Sequence, residues 1–186
     1  MPTAELDTYV ALLRGINVGG HNKLPMRDLS ALLAELGCQG VQTYIQSGNA
    51  VFRAPVGTDG LAEAISRKIQ ERFGFTSTVI LRSRDELAAV TRANPFPEDV
   101  DPAKLLIVFL ETEPAPENVA SLDPNFAPPD AFAVRGREVF IHCPDGLART
   151  KTPNYVGRRL KTTGTGRNWR TVLKLLEMAD STHAGA

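Results

Sequence analysis

The sequence predicts an α+β fold made of two ferredoxin-like (split βαβ, α–β plait) subdomains with antiparallel sheets. Alternating apolar strands and amphipathic helices follow one another in the order βαββαβ, and this order occurs twice along the chain. A segment rich in proline and acidic residues separates the two occurrences. The expected organisation is a first subdomain at 1–82, a helix and connector at 83–103, and a second subdomain at 104–186.

The elements of the first subdomain follow from apolar spacing and from the residues that begin and end helices. Leucines at positions i, i+3, i+4 and i+7 form one face of the first helix, and glycine ends both helices. After a loose start, the predicted elements are a strand at 9–13, a helix from Pro25 to Gly37, strands at 41–46 and 49–53 joined by the two-residue turn Ser47–Gly48, a helix capped by Asp59, and a strand at 76–81.

The second subdomain repeats this order, and a helix precedes it. Ser83 and Glu86 have the spacing of a capping box, which predicts a helix as far as about Ala93. The further predicted elements are strands at 105–110, 131–134 and 138–142, short and long helices at 116–122 and 152–160, a weak strand at 161–165, and a final helix capped by Asn168. The tail at 181–186 is expected to be disordered.

Composition limits the class of protein. The chain has 186 residues and a formal net charge of zero. No apolar run approaches the roughly 20 residues of a membrane span, and the acidic N-terminus lacks a signal-peptide pattern. Two cysteines, Cys38 and Cys143, are too few for a disulfide framework. A cytoplasmic protein without a membrane partner is therefore expected, and its oligomeric state stays open.

The loop after the first strand is the main candidate site. Glycines allow backbone N–H groups to approach a ligand, and the helix N-terminus that follows favours negative charge. In the predicted topology, this loop lies beside the turn after the second strand. The candidate ligand-binding residues are Arg14, Gly15, Asn17, Gly19, Gly20, Asn22 and Lys23 from the loop, with Gln46, Ser47 and Asn49 from the turn. The alternative is that both segments are only tight turns.

A basic stretch near the C-terminus is the second candidate. Eight basic residues and no acidic one lie between Gly146 and Leu176, whereas ten acidic and three basic residues lie between Glu98 and Asp145. Such asymmetry is typical of an anion-binding face. Lys151, Arg167 and Asn168 are the residues expected to contribute to ligand binding. Alternatively, the charges of the two segments pair with each other.

Known catalytic patterns are absent from the sequence. His21 and Asn22 stand where a Walker A loop would have Lys followed by Ser or Thr, and no dinucleotide-binding glycine pattern occurs. Ser47 and the two cysteines are candidate nucleophiles, but no histidine has a sequence spacing that pairs it with them; a serine–histidine arrangement through His21 is the alternative that the geometry leaves open. His142 and Cys143 are too few ligands for a metal site. No cofactor or metal is expected, and whether the protein is an enzyme stays open.

Five short segments of the sequence resemble motifs of the bacterial family called domain of unknown function 1697. They are 9–20 (YVALLRGINVGG), 43–49 (TYIQSGN), 94–96 (NPF), 144–146 (PDG) and 167–171 (RNWRT). The resemblance covers nearly the whole chain and implies a fold of two α–β plait subdomains. It implies no activity. The chain departs from the family at Gly166, where threonine is usual, and at Cys143, where an aromatic residue is common.

These observations favour a protein that binds a phosphorylated or otherwise anionic small molecule, or a nucleotide, at the glycine-rich loop. A nucleic-acid-binding module that uses the basic C-terminal face is the alternative. It is less favoured because only 6% of the residues are aromatic and the stacking signature of an RNA-recognition motif is missing. A protein-interaction scaffold is the third hypothesis, favoured if the glycine-rich loop is packed shut.

Overall fold

The predicted fold of two four-stranded antiparallel sheets with flanking helices is confirmed. The structure, a computed structural model, describes residues 5–57 and 59–185. The first βαββαβ run consists of β1 (Leu6–Leu13), α1 (Met26–Glu35), β2 (Gln39–Tyr44), β3 (Asn49–Pro55), α2 (Leu61–Phe73) and β4 (Val79–Ser83). Its strands lie in the order β2-β3-β1-β4, as the ferredoxin-like topology requires.

The second run has the same topology. Helix α3 (Arg84–Arg92) precedes it, and a short 3₁₀ turn covers Pro102–Lys104. The run itself consists of β5 (Leu105–Leu110), α4 (Pro116–Ala120), β6 (Ala131–Arg135), β7 (Glu138–His142), α5 (Thr152–Leu160) and β8 (Gly164–Asn168), and α6 (Trp169–Ala184) follows. The strand order is β6-β7-β5-β8.

The core of the first sheet lies under α1 and α2. Leu29, Leu32 and Leu33 of α1 are fully buried, as their helical spacing predicts. From α2, Ile65 and Ile69 join the same cluster. Successive residues of β1 point to opposite faces of the sheet, and the strand is buried from position 10 to position 13 on both. This explains its continuous apolar run.

The core of the second sheet is smaller. Val139 and Ile141 of β7 pack with Val156 and Leu160 of α5 and with Leu110 of β5. The apolar positions of α5 are spaced four apart, so they lie on one face of the helix. Arg158 lies on the opposite face, and both Arg158 and Arg159 are exposed.

Three of the residues predicted to begin or end helices do so in the structure. The Ser83–Glu86 capping box is formed: the Ser83 N–H donates to Glu86 Oε2 at 2.8 Å, and the Glu86 N–H donates to Ser83 Oγ at 3.1 Å. Asn168 Oδ1 accepts a hydrogen bond from the Thr171 N–H at 2.9 Å and so caps α6. Gly74 ends α2 in the left-handed conformation.

Two predicted element boundaries, one of a helix and one of a strand, are wrong. The residue that caps α2 is Gly60 in a left-handed conformation, not Asp59. The weak strand expected at 161–165 is instead β8 at Gly164–Asn168. Its later start has a local cause: Lys161 has a φ of 55° and ends α5, so it cannot continue as extended strand.

The prediction of a disordered tail is also wrong over the described residues. Helix α6 continues to Ala184, and Ala186 lies outside the described residues. Side chains beyond position 179 make contacts distant in sequence. Arg84 Nε donates to Asp180 Oδ1 at 2.7 Å, and Gln42 Nε2 donates to Thr182 Oγ1 at 3.2 Å. These contacts explain the order of the segment, since no local signal reveals them.

The chain divides into two compact units. The first unit extends to Ala88 and is completed by the segment from Lys174 onward, and the second unit is Ala89–Leu173. The sequence-based division instead assigns all of 104–186 to the second subdomain. The apolar face of α6 continues past Lys174 with the buried Leu175 and Ala179, so no break in the sequence marks the change. Among the described residues, no helix combines the length and apolarity that crossing a membrane needs.

Candidate functional site

Four strand ends of the first sheet meet at the glycine-rich loop. Leu12 pairs with Asn49, Leu13 with Val79, and Tyr44 with Asn49, so β1 and β2 end where β3 and β4 begin. We call this edge, formed by residues 14–25, 45–48 and 74–78, the loop end. The prediction that the loop lies beside the β2–β3 connection is confirmed, because the two segments are directly hydrogen-bonded.

The side chain of Asn17 links the glycine-rich loop to the β2–β3 connection. Its Nδ2 donates to the Gln46 carbonyl at 2.8 Å and to the Leu24 carbonyl at 2.9 Å, while its Oδ1 accepts from the Leu24 N–H at 2.8 Å. Its φ is 53°, a conformation that asparagine tolerates better than most residues do. The amide therefore braces the loop internally and has both of its polar atoms engaged.

The tip of the loop is a tight turn. Gly19 and Gly20 both have positive φ, 58° and 78°, and the His21 N–H donates to the Val18 carbonyl at 3.0 Å. This is the pattern of a type I′ turn, which requires positive φ at both central positions. Asn22 fixes the base of the turn, because its Nδ2 donates to the Gly15 carbonyl at 3.0 Å.

The β2–β3 connection is longer than predicted. Tyr44 pairs with Asn49, so four residues connect the strands, and the predicted two-residue turn is wrong. Ile45 adopts a φ of 50°, which is uncommon for a β-branched residue. The buried Asn49 stabilises the connection, since its Nδ2 donates to the Tyr44 carbonyl and to Ser47 Oγ, both at 3.0 Å.

A third segment of the loop end does not appear among the sequence-predicted residues. Ser77 Oγ donates to the Arg14 carbonyl at 2.9 Å, and the Arg14 N–H donates to the Thr78 carbonyl at 2.9 Å. Ser66 Oγ in turn donates to the Ser77 carbonyl at 2.8 Å. The predicted topology could have identified this segment, because in a ferredoxin-like sheet β4 begins beside the end of β1.

The loop end presents basic side chains, backbone donors and two large apolar side chains, Val18 and Ile45, to solvent. The side chains of Arg14, His21 and Lys23 are exposed. Within the described chain, the N–H groups of Gly19 and Gly20 donate no hydrogen bond. Three stretches of the sequence, 8–27, 36–57 and 72–84, contain the loop end and the adjoining parts of its strands. None of these stretches includes an aspartate or a glutamate. The local field therefore favours an anion.

The other three predicted ligand-binding residues belong to the second unit. Lys151 is exposed and immediately precedes α5, where it lines a cavity. Arg167 is buried in β8, and its Nη1 donates to Thr165 Oγ1 and to the Gly166 carbonyl, both at 2.8 Å. Burial lowers the pKa of Arg167 to about 10. Asn168 uses its side chain to cap α6.

An ion pair links the acidic segment of the second unit to its basic segment. Arg170 Nη2 lies 3.7 Å from Asp101 Oδ1, and both side chains are largely exposed. Such a pair contributes little to stability. In the described parts of the chain, no group of three or more His, Cys, Asp or Glu residues could hold a metal ion.

Both thiols are expected to react slowly in the folded protein. Cys38 and Cys143 are buried, and burial raises the pKa of Cys38 to about 11. Burial also raises the pKa of Cys143; the nearby Asp130 carboxylate acts in the same direction, and the Thr150 hydroxyl opposes it. Because the thiolate is the nucleophilic form, neither cysteine is activated near neutral pH. A disulfide reagent at pH 8 should modify both thiols promptly only after denaturation; prompt modification of the native protein would contradict this.

Comparison with known proteins agrees with the fold. The chain is similar to a solved structure, described as the structure of conserved bacterial protein SP0830 from Streptococcus pneumoniae, with a TM-score of 0.74 and 26% identity over 94% of this chain and 99% of that chain. No match was found among curated proteins. The family described as "Protein of unknown function (DUF1697)" matches residues 6–140. The chain therefore belongs to the DUF1697 family.

Proposed function

We propose that the protein binds a phosphorylated or otherwise anionic small molecule, such as a nucleotide, at the loop end of the first sheet. The observation that carries the proposal is a hydrogen-bonded loop that exposes Arg14, Lys23 and the N–H groups of Gly19 and Gly20, at a sheet end whose three segments contain no carboxylate. Neither the family description nor the solved structure assigns an activity, so the proposal depends on this site alone.

The loop is held in shape by two asparagines. This favours a ligand-binding role for its charged side chains rather than a role in maintaining the loop conformation. The internal bracing is done by Asn17 and Asn22, whose amides engage backbone groups. A loop already held in one conformation loses little entropy when a ligand binds. The side chains of Arg14 and Lys23 are exposed, so a ligand in solution can reach them.

The residue types at the loop end match the geometry of an anionic group. Arginine presents a planar fork of donors suited to phosphate or carboxylate, and lysine adds a mobile point charge. The N–H groups of Gly19 and Gly20 can donate in the same region. Helix α1 begins just beyond it without a side-chain cap, and Asp28 in its first turn offsets part of the positive field of the helix N-terminus. Oriented backbone donors and a helix N-terminus both attract anions.

Substituting either exposed cation should weaken binding while sparing the fold. We expect Arg14→Ala and Lys23→Ala each to weaken the binding of a phosphate-bearing ligand at least tenfold, since a hydrogen bond to a charged group contributes about 1.5–3 kcal/mol. Isothermal titration calorimetry with nucleotides, sugar phosphates and inorganic phosphate measures the change. Arg67→Ala removes an exposed arginine of α2 outside the loop end and serves as the matched control.

Two outcomes would contradict this proposal. If the wild-type protein binds none of these anions, the loop end is not an anion site. If Arg14→Ala instead destabilises the fold by about 1–3 kcal/mol with no ligand to lose, the arginine is a structural partner whose removal leaves buried groups unsatisfied.

A further inference from the structure

The second unit contains a cavity that the sequence analysis did not identify. Its volume is about 440 Å³, within the range of roughly 300–1,000 Å³ typical of small-molecule sites. It lies between the segment before β6, the turn after β7 and the segment before α5. The lining residues are Ala127, Pro128, Pro129, Asp130, Asp145, Gly146, Arg149, Thr150 and Lys151.

Asp130 fixes the charged wall of this cavity. Its Oδ2 accepts hydrogen bonds from Thr150 Oγ1 and, at 2.7 Å, from Thr152 Oγ1. The Thr152 N–H donates to Thr150 Oγ1 at 3.0 Å. These bonds tie the segment before α5 to the start of β6. Asp130 is therefore a positioning residue for the two cations on either side of Thr150.

Those cations, Arg149 and Lys151, have exposed side chains that line the cavity. Within the described residues, neither side chain forms an ion pair or a hydrogen bond. Helix α5 begins next to them with no acidic residue in its first turn. Its N-terminus adds partial positive charge to the same side.

Two carboxylates, Asp130 and Asp145, line the cavity together with the two cations and give it a mixed character. The Asp130 carboxylate is engaged by the threonine hydroxyls, whereas the exposed Asp145 carboxylate has no partner within the described residues. A bare anion would be repelled by this carboxylate, whereas a ligand with hydroxyl groups could donate hydrogen bonds to it. The wall formed by Ala127, Pro128 and Pro129 is apolar and can contact the C–H face of a sugar ring.

We infer that this cavity binds a sugar phosphate. Arg149 and Lys151 hold the phosphate, Asp145 accepts hydrogen bonds from ring hydroxyls, and the proline-rich wall packs against the ring. This site is distinct from the loop end, because all of its lining residues belong to the second unit.

The test is calorimetric titration of the full chain with hexose and pentose phosphates, the unphosphorylated sugars and inorganic phosphate. We expect saturable binding of at least one sugar phosphate and much weaker binding of its parent sugar. Arg149→Ala and Lys151→Ala should each lower the affinity at least tenfold. Arg158→Ala, which removes an exposed cation of α5 outside the cavity, should leave it unchanged.

Asp145→Ala gives the sharpest result, because its effects on two ligands have opposite signs. Loss of the carboxylate should weaken sugar phosphate binding severalfold and strengthen the binding of inorganic phosphate. Saturable binding that survives both Arg149→Ala and Lys151→Ala, or the absence of binding by every sugar phosphate, would overturn the inference. Sensitivity to Arg14→Ala alone would instead assign the ligand to the loop end.

Discussion

Replacing Gly48 by alanine is expected to destabilise the protein by roughly 2–5 kcal/mol. Gly48 has a φ of 88°, and an alanine pays about 1–2 kcal/mol for a left-handed conformation. The added Cβ would also lie 2.6 Å from Ile16 Cδ1 and 2.8 Å from Leu13 Cβ. Leu13 is fully buried and its Cβ is fixed to the backbone of β1, so overpacking adds about 1–3 kcal/mol.

Urea unfolding followed by circular dichroism measures this effect, and Gly74→Ala is its matched control. Gly74 has a similar φ of 77°, but an added Cβ there meets no atom within 4 Å. The control should therefore show only the conformational penalty. Equal destabilisation by the two substitutions would mean that packing around Gly48 contributes nothing.

Asn17→Ala is expected to have the second largest effect, a destabilisation of about 2–4 kcal/mol. The substitution removes three hydrogen bonds and leaves the Leu24 N–H, the Leu24 carbonyl and the Gln46 carbonyl without their partner. An unsatisfied group costs about 1–3 kcal/mol when it is buried, and less where water reaches it, as at Gln46. Because the loop then loses its link to the β2–β3 connection, anion binding at the loop end should weaken as well.

Two further variants separate the contributions of Asn17. Asn17→Gly removes the same hydrogen bonds but accepts the positive φ without strain, so it should destabilise slightly less than alanine does. Asn22→Ala removes one exposed hydrogen bond and should cost less than about 1 kcal/mol. Chemical unfolding of the three variants tests this order. If Asn17→Ala costs no more than Asn22→Ala, the brace is not the main support of the loop.

The fold was predictable because its signals are local. The strands Leu105–Leu110 and Glu138–His142 have the predicted bounds, since each is an apolar or alternating run with clear ends. The Ser83–Glu86 capping box depends on two residues three positions apart. By contrast, the positive φ of Ile45 has no local signal, because a β-branched residue normally avoids that conformation. The residues on either side of it accept hydrogen bonds from side chains elsewhere along the chain, since the Tyr44 carbonyl accepts from Asn49 and the Gln46 carbonyl accepts from Asn17.

The candidate sites were only partly predictable. The residue types of the glycine-rich loop indicate its polarity, but not which side chains are engaged. The sequence indicates Asn17 and Arg14 equally as candidate ligand-binding residues. In the structure the Asn17 amide instead holds the loop together through hydrogen bonds, whereas the Arg14 side chain is exposed. The cavity around Asp130 was missed because its walls come together only in the folded unit: Thr150 lies 20 residues away along the chain.

The segment from Lys174 onward has a consequence for how the protein is made. Residues of the first unit, such as Arg84 and Gln42, find their partners at Asp180 and Thr182. While the chain is still on the ribosome, the first unit therefore lacks these partners, although nearly all of its own sequence has already emerged. Domains generally fold as units during synthesis, N-terminal first. Here the first unit is completed only after the second unit has been translated, because the part of α6 that packs with the first unit is the last segment to be synthesised.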